Sequence, residues 1–511
     1  MNLNLDIKII PSKLSGELKL PPSKSIAHRH IICSALAEGV SEISNIAYSQ
    51  DILASIDAMK ALGARFEMGK DCIKVYGIGN KIKELELDDE VSNKEKINKL
   101  ETEDMAVGEM DTENLVFGEK TAEGLDSRKL DNKDYIEKLV INCRESGSTI
   151  RFLLPILTIF NKKFHIQAQG RLLKRPMDPY FKIFDMEGIS YQKNQEEILI
   201  EGGKGLRSEK FYMDGKISSQ FISGMMFLLP LLNHDSEIII ENKLESKSYV
   251  DLTIDCLSKY GIEIENNEYK SFKIKANQSY ISRDSYIEGD YSQAAFFAVA
   301  NALGNEIDML GVSESSLQGD RKILELLKNF GASVKFVDYL ISEDLDLEKN
   351  IDNELKNKES SLDEKSNRKK LLIRQGYKKG YSFDGSDIPD IVPIVALLAS
   401  LSKGKTRISN IFRLRIKESD RLEAVDCELN KLGANIKSGE DFLEINGVEK
   451  LNGAVIVDSH KDHRIAMMLA IASTVCREAI IIKDADSVSK SFPDFWEKYR
   501  ELGGIYECDL G

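Results

Sequence analysis

Paired cysteines are missing from this 511-residue chain: its seven (Cys33, Cys72, Cys143, Cys256, Cys427, Cys476 and Cys508) are scattered, odd in number and never in CxxC spacing. That excludes a disulfide framework and a thiolate zinc site, and it implies reduced thiols. Histidine is scarce too, six in all, with no second His or Cys at metal-ligand spacing, so no metal centre is expected. No apolar run approaches the roughly 20 residues that span a bilayer. Positive charge is in deficit, 70 Lys and Arg against 84 Asp and Glu for a net −14, which repels nucleic acid and anionic lipid. The opening MNLNLDIKIIPSK lacks the basic flank and apolar core of a secretion signal, so cytoplasmic residence is expected. Any cationic site must be local.

What is present repeats. An amphipathic helix ending in glycine and followed by a short pair of strands occurs six times, at Gly63, Gly188, Gly261, Gly331, Gly433 and Gly503. Glycine is the residue that tolerates the left-handed turn closing a helix. The gaps between copies are 125, 73, 70, 102 and 70 residues, so two intervals carry about 55 and about 30 extra residues. Those extras are charged, core-poor insertions near 83–137 and about 343–371, where solvated loop or disordered segment with helical tendency and mobility, and no catalytic duty, is expected. Since 511 residues exceed what one core supports, six βα-type units divide into three and three.

Each unit also holds a second helix that is apolar around its circumference and therefore buried. The six span 25–37, 148–160, 219–232, 291–303, 388–401 and 462–473, each preceded by a short polar run. Bundled by threes, their amino-terminal ends would meet at one surface, each worth about half a positive charge toward an anion. Cations gather at these starts: Lys24 and Arg29, Arg151, Arg464, with Arg175, Lys417, Arg421 and Lys490 in loops. A single such Arg reads as an ion-paired surface residue; eight in corresponding places of an acidic chain point to an anion site.

Eleven blocks in order carry a resemblance: LPPSKSIAHRHIICSALAEG, SGSTIRFL, GRLLKRPMDP, DGKISSQFISG, SKSYVDLT, EGDYSQAAF, QGDRKILE, SDIPDIVPIVA, RIKESDRL, DHRIAMMLA and SKSFPDFW, from residue 20 to 496. Together they resemble the 5-enolpyruvylshikimate-3-phosphate synthase family. The resemblance implies an α/β (α+β) fold of two similar domains, each with three βαβαββ repeats around buried parallel helices, an inside-out barrel with the active site in the interdomain cleft. It implies one discontinuous domain from 1–21 plus 290–511 and a second from 22–289, the crossings falling near Pro21–Ser23 and Gly289–Asp290.

The implied reaction moves the carboxyvinyl group of phosphoenolpyruvate to shikimate 3-phosphate and releases phosphate. Both substrates bear a phosphate and a carboxylate, so Arg forks and Ser hydroxyls suit them. By resemblance, shikimate 3-phosphate would meet Lys24, Ser25, Arg29, Ser218, Ser219, Gln220, Ser246, Tyr249, Asp390, Arg413 and Lys417. Phosphoenolpyruvate would meet Lys24, Gly147, Arg175, Gln220, Arg421, Arg464 and Lys490, with Gly147 leaving room by having no side chain. Asp390 is the implied base and Glu418 the proton shuttle, with Lys24 stabilising charge. No metal or redox cofactor is needed. Cations around Glu418 should depress its pKa, so desolvation on closure is expected to offset them. A monomer is implied.

Other readings keep their place at this stage. Asp390 in DIPD also fits a helix cap, and Glu418 in KESDR an ion-paired helix start. His463 fits a polar role in the cleft. GKT at Gly404–Thr406 invites a phosphate-loop reading, which fails because Ala399 stands where the first glycine belongs. Glu145 occupies a place where many relatives have Asn, and Arg413 one where some do. The sister enolpyruvyl transferase for UDP-N-acetylglucosamine uses a mobile-loop cysteine as acid, and none of the seven cysteines lies in a matching block. A noncatalytic anion-binding relative would not need both carboxylates.

Overall fold

The computed structural model describes residues 5–79, 81–82, 138–338 and 369–508. Helices alternate in kind along the chain: α1 (Lys24–Leu36) and α2 (Gln50–Ala61), α3 (Gly147–Ile156) and α4 (Asp178–Glu187), α5 (Ser219–Leu228) and α6 (Lys247–Lys259). The second half repeats this with α7 (Tyr291–Ala302) and α8 (Ile323–Asn329), α9 (Val392–Ser400) and α10 (Arg421–Lys431), α11 (His463–Ser473) and α12 (Phe495–Glu501). The odd-numbered helices are the apolar ones; every residue of α7, α9 and α11 is buried. The even-numbered ones bury one face. Each of these even helices gives way to its predicted glycine at positive φ, from 67° at Gly188 to 106° at Gly63, a conformation that glycine adopts without steric cost.

Among the described residues, six four-stranded sheets surround the inner helices. In one, Lys138–Asn142 runs parallel to Lys163–Gln167, which pairs antiparallel with Glu197–Glu201, and that in turn with Tyr191–Lys193. With α3 and α4 between the strands this is a βαβαββ unit. Alternation sets its register: Ile198 and Ile200 are buried and lie opposite Ile166 and Phe164. Two units borrow their first strand. Ser285–Tyr286 supplies the first strand beside Val40–Ser44, and Ser15–Lys19 does so for Glu306–Leu310.

Two separate hydrophobic cores result, one built from residues 7–20 with 291–502 and the other from 27–287. The two passages between them lie side by side: Pro22 bridges Gly289, Ser23 N donates to Glu288 O at 2.7 Å, and Asp290 N to Pro21 O at 2.9 Å. The fold is thus the two-part α/β architecture expected. Among the described residues no helix is long and apolar enough to cross a membrane.

Four details differ from expectation. The sixth copy has only Ile505–Cys508 after its glycine; the missing partner is Ile7–Ile10, which inserts antiparallel beside it. Residues 369–371, placed by composition in the second insertion, begin strand Lys369–Arg374, whose alternating Leu371 and Ile373 are buried. The rest of that insertion and all of 83–137 lie outside the described residues. The helix expected from 388 begins at Val392, because Pro393 has no N–H to give the carbonyl four residues back and so fits only in the first turn, while Pro389 disfavours helical geometry at Ile388. Finally, α3 tightens to a 3-10 turn at Leu157–Ile159. There Pro155 has no N–H to give Arg151 O, and the Tyr180 hydroxyl donates to that oxygen instead at 2.6 Å.

Candidate active site

The inner helices aim their first turns at one cavity between the two halves. Lys24 and Ser25 of α1, Gly147 and Ser148 of α3, Ser219 and Gln220 of α5 line it from one side. Ser292 of α7, Asp390 just before α9, and His463 and Arg464 of α11 line it from the other. Capping explains why these ends are firm: Ser146, Ser218, Asp290 and Asp462 each accept from backbone N–H groups of the turn they begin. The proline-shortened α9 leaves Asp390 on a turn, with its carboxylate in the cavity wall.

Four cations enter from each half: Lys24, Arg29, Arg151 and Arg175, then Arg413, Lys417, Arg421 and Arg464. Several lack sufficient anions. The Nε groups of Arg151, Arg175 and Arg464 are buried without a partner. Burial, with Arg175 close by, pulls Arg151 down to about 9, and burial pulls Arg29 down to about 10 and lowers Lys417. A buried cluster of this kind is stabilised by an arriving anion. Arg29 spends its donors on the protein, on Thr253 Oγ1, Ser25 O and Tyr249 O at 2.9, 2.6 and 2.8 Å. It therefore fixes α1 against α6.

Arg421 is the centre of the site. Only 1% exposed, it donates through Nε to Asp462 at 2.8 Å, through Nη1 to Asp390 at 2.7 Å and through Nη2 to Glu418 at 2.5 Å. Lys417 Nζ adds a 3.3 Å contact to Asp390, and Arg175 Nη2 a 3.5 Å contact to Glu418. Burial alone would raise Asp390, but Lys417, Arg421 and Arg464 overcome it and hold it well below the usual carboxylate range. Glu418 follows the same balance: burial pushes it up, while Arg421, Arg175 and Lys417 hold it well below. The expected offset by desolvation does not occur in this structure, because two guanidinium groups meet the carboxylate. His463 is buried, which together with Arg464 keeps it neutral.

All but one of the residues expected to bind or react line this cavity. Lys490 is the exception; its ammonium is held by Glu145 Oε2 at 2.7 Å and Lys461 O at 2.8 Å. The Glu145 charge is thereby answered from the opposite half. Arg413 donates to Ser246 Oγ at 2.8 Å with Glu245 3.5 Å away, and Ser246 holds a left-handed φ of 55° while its N–H donates to Asp387. Sequence reasoning missed Asp51, which pairs with Lys24 Nζ at 2.6 Å; in YSQDILAS it reads as an ordinary first-turn acid of α2. It also missed Ser148, Asp290 and Ser292 as lining, and gave Arg151 no role beyond its place at a helix start.

The space at Gly147 is already taken. A Cβ there would lie 3.0 Å from Arg175 Nη1 and 3.2 Å from Arg151 Nη1. Gly147→Ala is therefore expected to displace these guanidiniums and raise KM for an anion bound by Arg175 by about tenfold, with a smaller change in kcat. Steady-state kinetics check this; an unaltered KM would show that Arg175 is not a ligand.

Comparison with known proteins identifies the family. The family model for EPSP synthase (3-phosphoshikimate 1-carboxyvinyltransferase) matches residues 9–93 and 111–499. A 3-phosphoshikimate 1-carboxyvinyltransferase of Clostridium botulinum (strain Alaska E43 / Type E3) is 45% identical across 99% of both chains, and one of Clostridioides difficile (strain 630) is 44% identical across 99% of both. The solved EPSP synthase of Acinetobacter baumannii shares the fold at a TM-score of 0.70 and 20% identity, covering 99% of this chain and 100% of its own. Fold and relatives make the chain an enolpyruvyl transferase, and it belongs to the EPSP synthase (3-phosphoshikimate 1-carboxyvinyltransferase) family.

Proposed function

We propose that this protein transfers the enolpyruvyl group of phosphoenolpyruvate to the 5-hydroxyl of shikimate 3-phosphate, releasing phosphate, in the pathway to chorismate and the aromatic amino acids. The observation that carries this is the pair of ionised carboxylates, Asp390 and Glu418, held on one buried guanidinium beside three others, those of Arg151, Arg175 and Arg464, whose buried Nε groups have no partner. Shikimate 3-phosphate lies against Ser25, Ser218, Ser219, Ser246, Tyr249, Arg413 and Lys417; phosphoenolpyruvate lies against Lys24, Arg175, Gln220, Arg421 and Arg464, with Gly147 leaving room for the Arg175 guanidinium. Lys490 joins the smaller substrate when Glu145 releases it.

Asp390 takes the proton of the attacking ring hydroxyl as its oxygen bonds to the central carbon of phosphoenolpyruvate. The vinyl methylene receives a proton, and Lys24 stabilises the charge that develops. Loss of that methyl proton then expels phosphate and restores the double bond. Glu418 is the shuttle for this proton. Phosphoenolpyruvate brings its own anions to Arg175 and Arg421, weakening the attraction that keeps Glu418 ionised, so burial then dominates and its pKa rises. Glu418→Gln removes the shuttle and is expected to lower kcat by about 10²- to 10³-fold. Turnover near the parent rate would remove Glu418 from this role.

We take the halves as two domains, 1–21 plus 290–511 and 22–289, that close on the substrates. Their separate cores support this, as do the polar contacts across the cleft. Both halves of the site come from one chain, which supports a monomer. The odd number and scatter of the cysteines support a reducing, cytoplasmic setting. The decisive experiment is phosphate release from purified protein given phosphoenolpyruvate and shikimate 3-phosphate, with UDP-N-acetylglucosamine as the competing acceptor. Binding without release, or release only with the nucleotide sugar, overturns the assignment.

A further inference from the structure

Behind the cavity wall stands a carboxyl group that the transfer chemistry leaves unused. Asp320 sits in the 3-10 turn Gly319–Lys322, 3% exposed, and its Oδ1 has no hydrogen-bond partner. Its Oδ2 lies 3.4 Å from the Tyr249 hydroxyl, and the same hydroxyl lies 3.2 Å from Asp390 Oδ2. Tyr249 belongs to α6, whereas both carboxyls come from the other core, so the three span the cleft.

A phenol has one proton to give. With a carboxylate on each side it satisfies one and turns an oxygen lone pair toward the other. The arrangement is complete only if one carboxyl is a neutral acid: its O–H donates to the phenol oxygen, and the phenol donates to the remaining carboxylate. Charge decides which is which. Asp390 has Arg421 at 2.7 Å and Lys417 at 3.3 Å; among the described residues no Lys or Arg is ion-paired with Asp320. The charged groups facing Asp320 are Asp390 and Asp290, which oppose its ionisation, and Arg464 and Lys417, which favour it. Burial foremost, then Asp390, pushes Asp320 up to about 7, whereas Asp390 stays well below its ordinary value. An unpaired buried carboxylate is costly, and a neutral acid is much less so.

Given the transfer reaction proposed above, we propose that Asp320 is a positioning residue: as a neutral acid it donates to the Tyr249 hydroxyl, which donates to Asp390 and fixes that group as the carboxylate facing the ring hydroxyl of the substrate. Loss of the Asp320 proton would reverse the order of donors and set two negative charges about the phenol. The rate should therefore fall as Asp320 ionises.

The test compares the parent with Asp320→Asn, Asp320→Ala and Tyr249→Phe, by kcat across pH 5–9 and by thermal unfolding without substrates. Asparagine donates N–H to the phenol at every pH, so Asp320→Asn should lose the decline of kcat through neutrality and fall about threefold or less at pH 6, while Asp320→Ala falls about tenfold. Tyr249→Phe should also erase the decline. In unfolding, native Asp320 keeps a proton that the unfolded chain releases near pH 4, so its contribution weakens as pH rises from about 4 to 7. Asp320→Asn should remove that slope, and Tyr249→Phe should keep it. An unchanged slope in Asp320→Asn shows that no proton is held there and overturns the proposal. A lost slope with a persistent kinetic decline also overturns it, because the proton would then not position Asp390. If the parent does not turn over, the transfer reaction itself fails, while the unfolding series still reports on Asp320.

Discussion

Asp390→Asn is expected to lower kcat by about 10³- to 10⁴-fold, the upper part of what a general base supplies, while both substrates still bind. The change is nearly isosteric. An amide oxygen accepts from Arg421 Nη1 and Lys417 Nζ much as the carboxylate does at 2.7 and 3.3 Å, so the cavity keeps its shape, but the amide cannot take the ring hydroxyl proton. Phosphate release under saturating substrates reads the loss, and isothermal titration with shikimate 3-phosphate checks that binding survives. A kcat within about tenfold of the parent would mean that another group takes the proton. A pH effect accompanies this. Because Asp390 is held below its unfolded value, it contributes stability that is present above about pH 4 and is lost as pH falls through the native value. The variant is therefore less stable than the parent at neutral pH, and the difference narrows in acid.

How much of this was legible in the residues varies with the physics involved. The glycines that end six helices were readable because a left-handed turn restricts the choice of residue, and each has positive φ. The apolar inner helices were readable from burial around their whole circumference, yet their ends were not. Pro155, Pro389 and Pro393 move those ends through the geometry they impose, and one such shift places Asp390 on the turn that faces the substrates. The borrowed strand Ile7–Ile10 could not be read locally, since its partners lie some hundreds of positions away. The cations were visible as a pattern at helix starts; the balance of charge on Glu418 was not, because it depends on whether Arg175 and Arg421 reach one carboxylate. Asp51 and Asp320 were hidden for the same reason. An acid in a first turn or beside a glycine looks ordinary until Lys24 or Tyr249 is found next to it.

Arg421→Met should be the most disruptive single change in the molecule, costing about 3–5 kcal/mol of stability at neutral pH as well as turnover. The guanidinium is fully enclosed and makes four hydrogen bonds to three carboxylates. Asp462 is itself fully buried and caps α11, so its charge would be left with Ser419 Oγ and the Arg464 backbone N–H. Methionine fills much of the volume, so the loss reports charge rather than a cavity. The sign of the pH dependence separates this account from simple misfit. Without Arg421, Asp390, Glu418 and Asp462 repel one another in a buried site, and Asp390 and Glu418 lose a cation that holds their pKa values down. They then take up protons as pH falls, and the deficit relative to the parent should shrink between pH 7.5 and 5. Urea unfolding at the two pH values measures it. A deficit independent of pH would assign the loss to packing, and one below about 1 kcal/mol would show that the three carboxylates find other partners. Arg421→Lys keeps one positive charge without the fork; it should recover part of the stability and little of the activity, because a single ammonium cannot hold Asp462, Asp390 and Glu418 in place while also meeting the phosphoenolpyruvate anion.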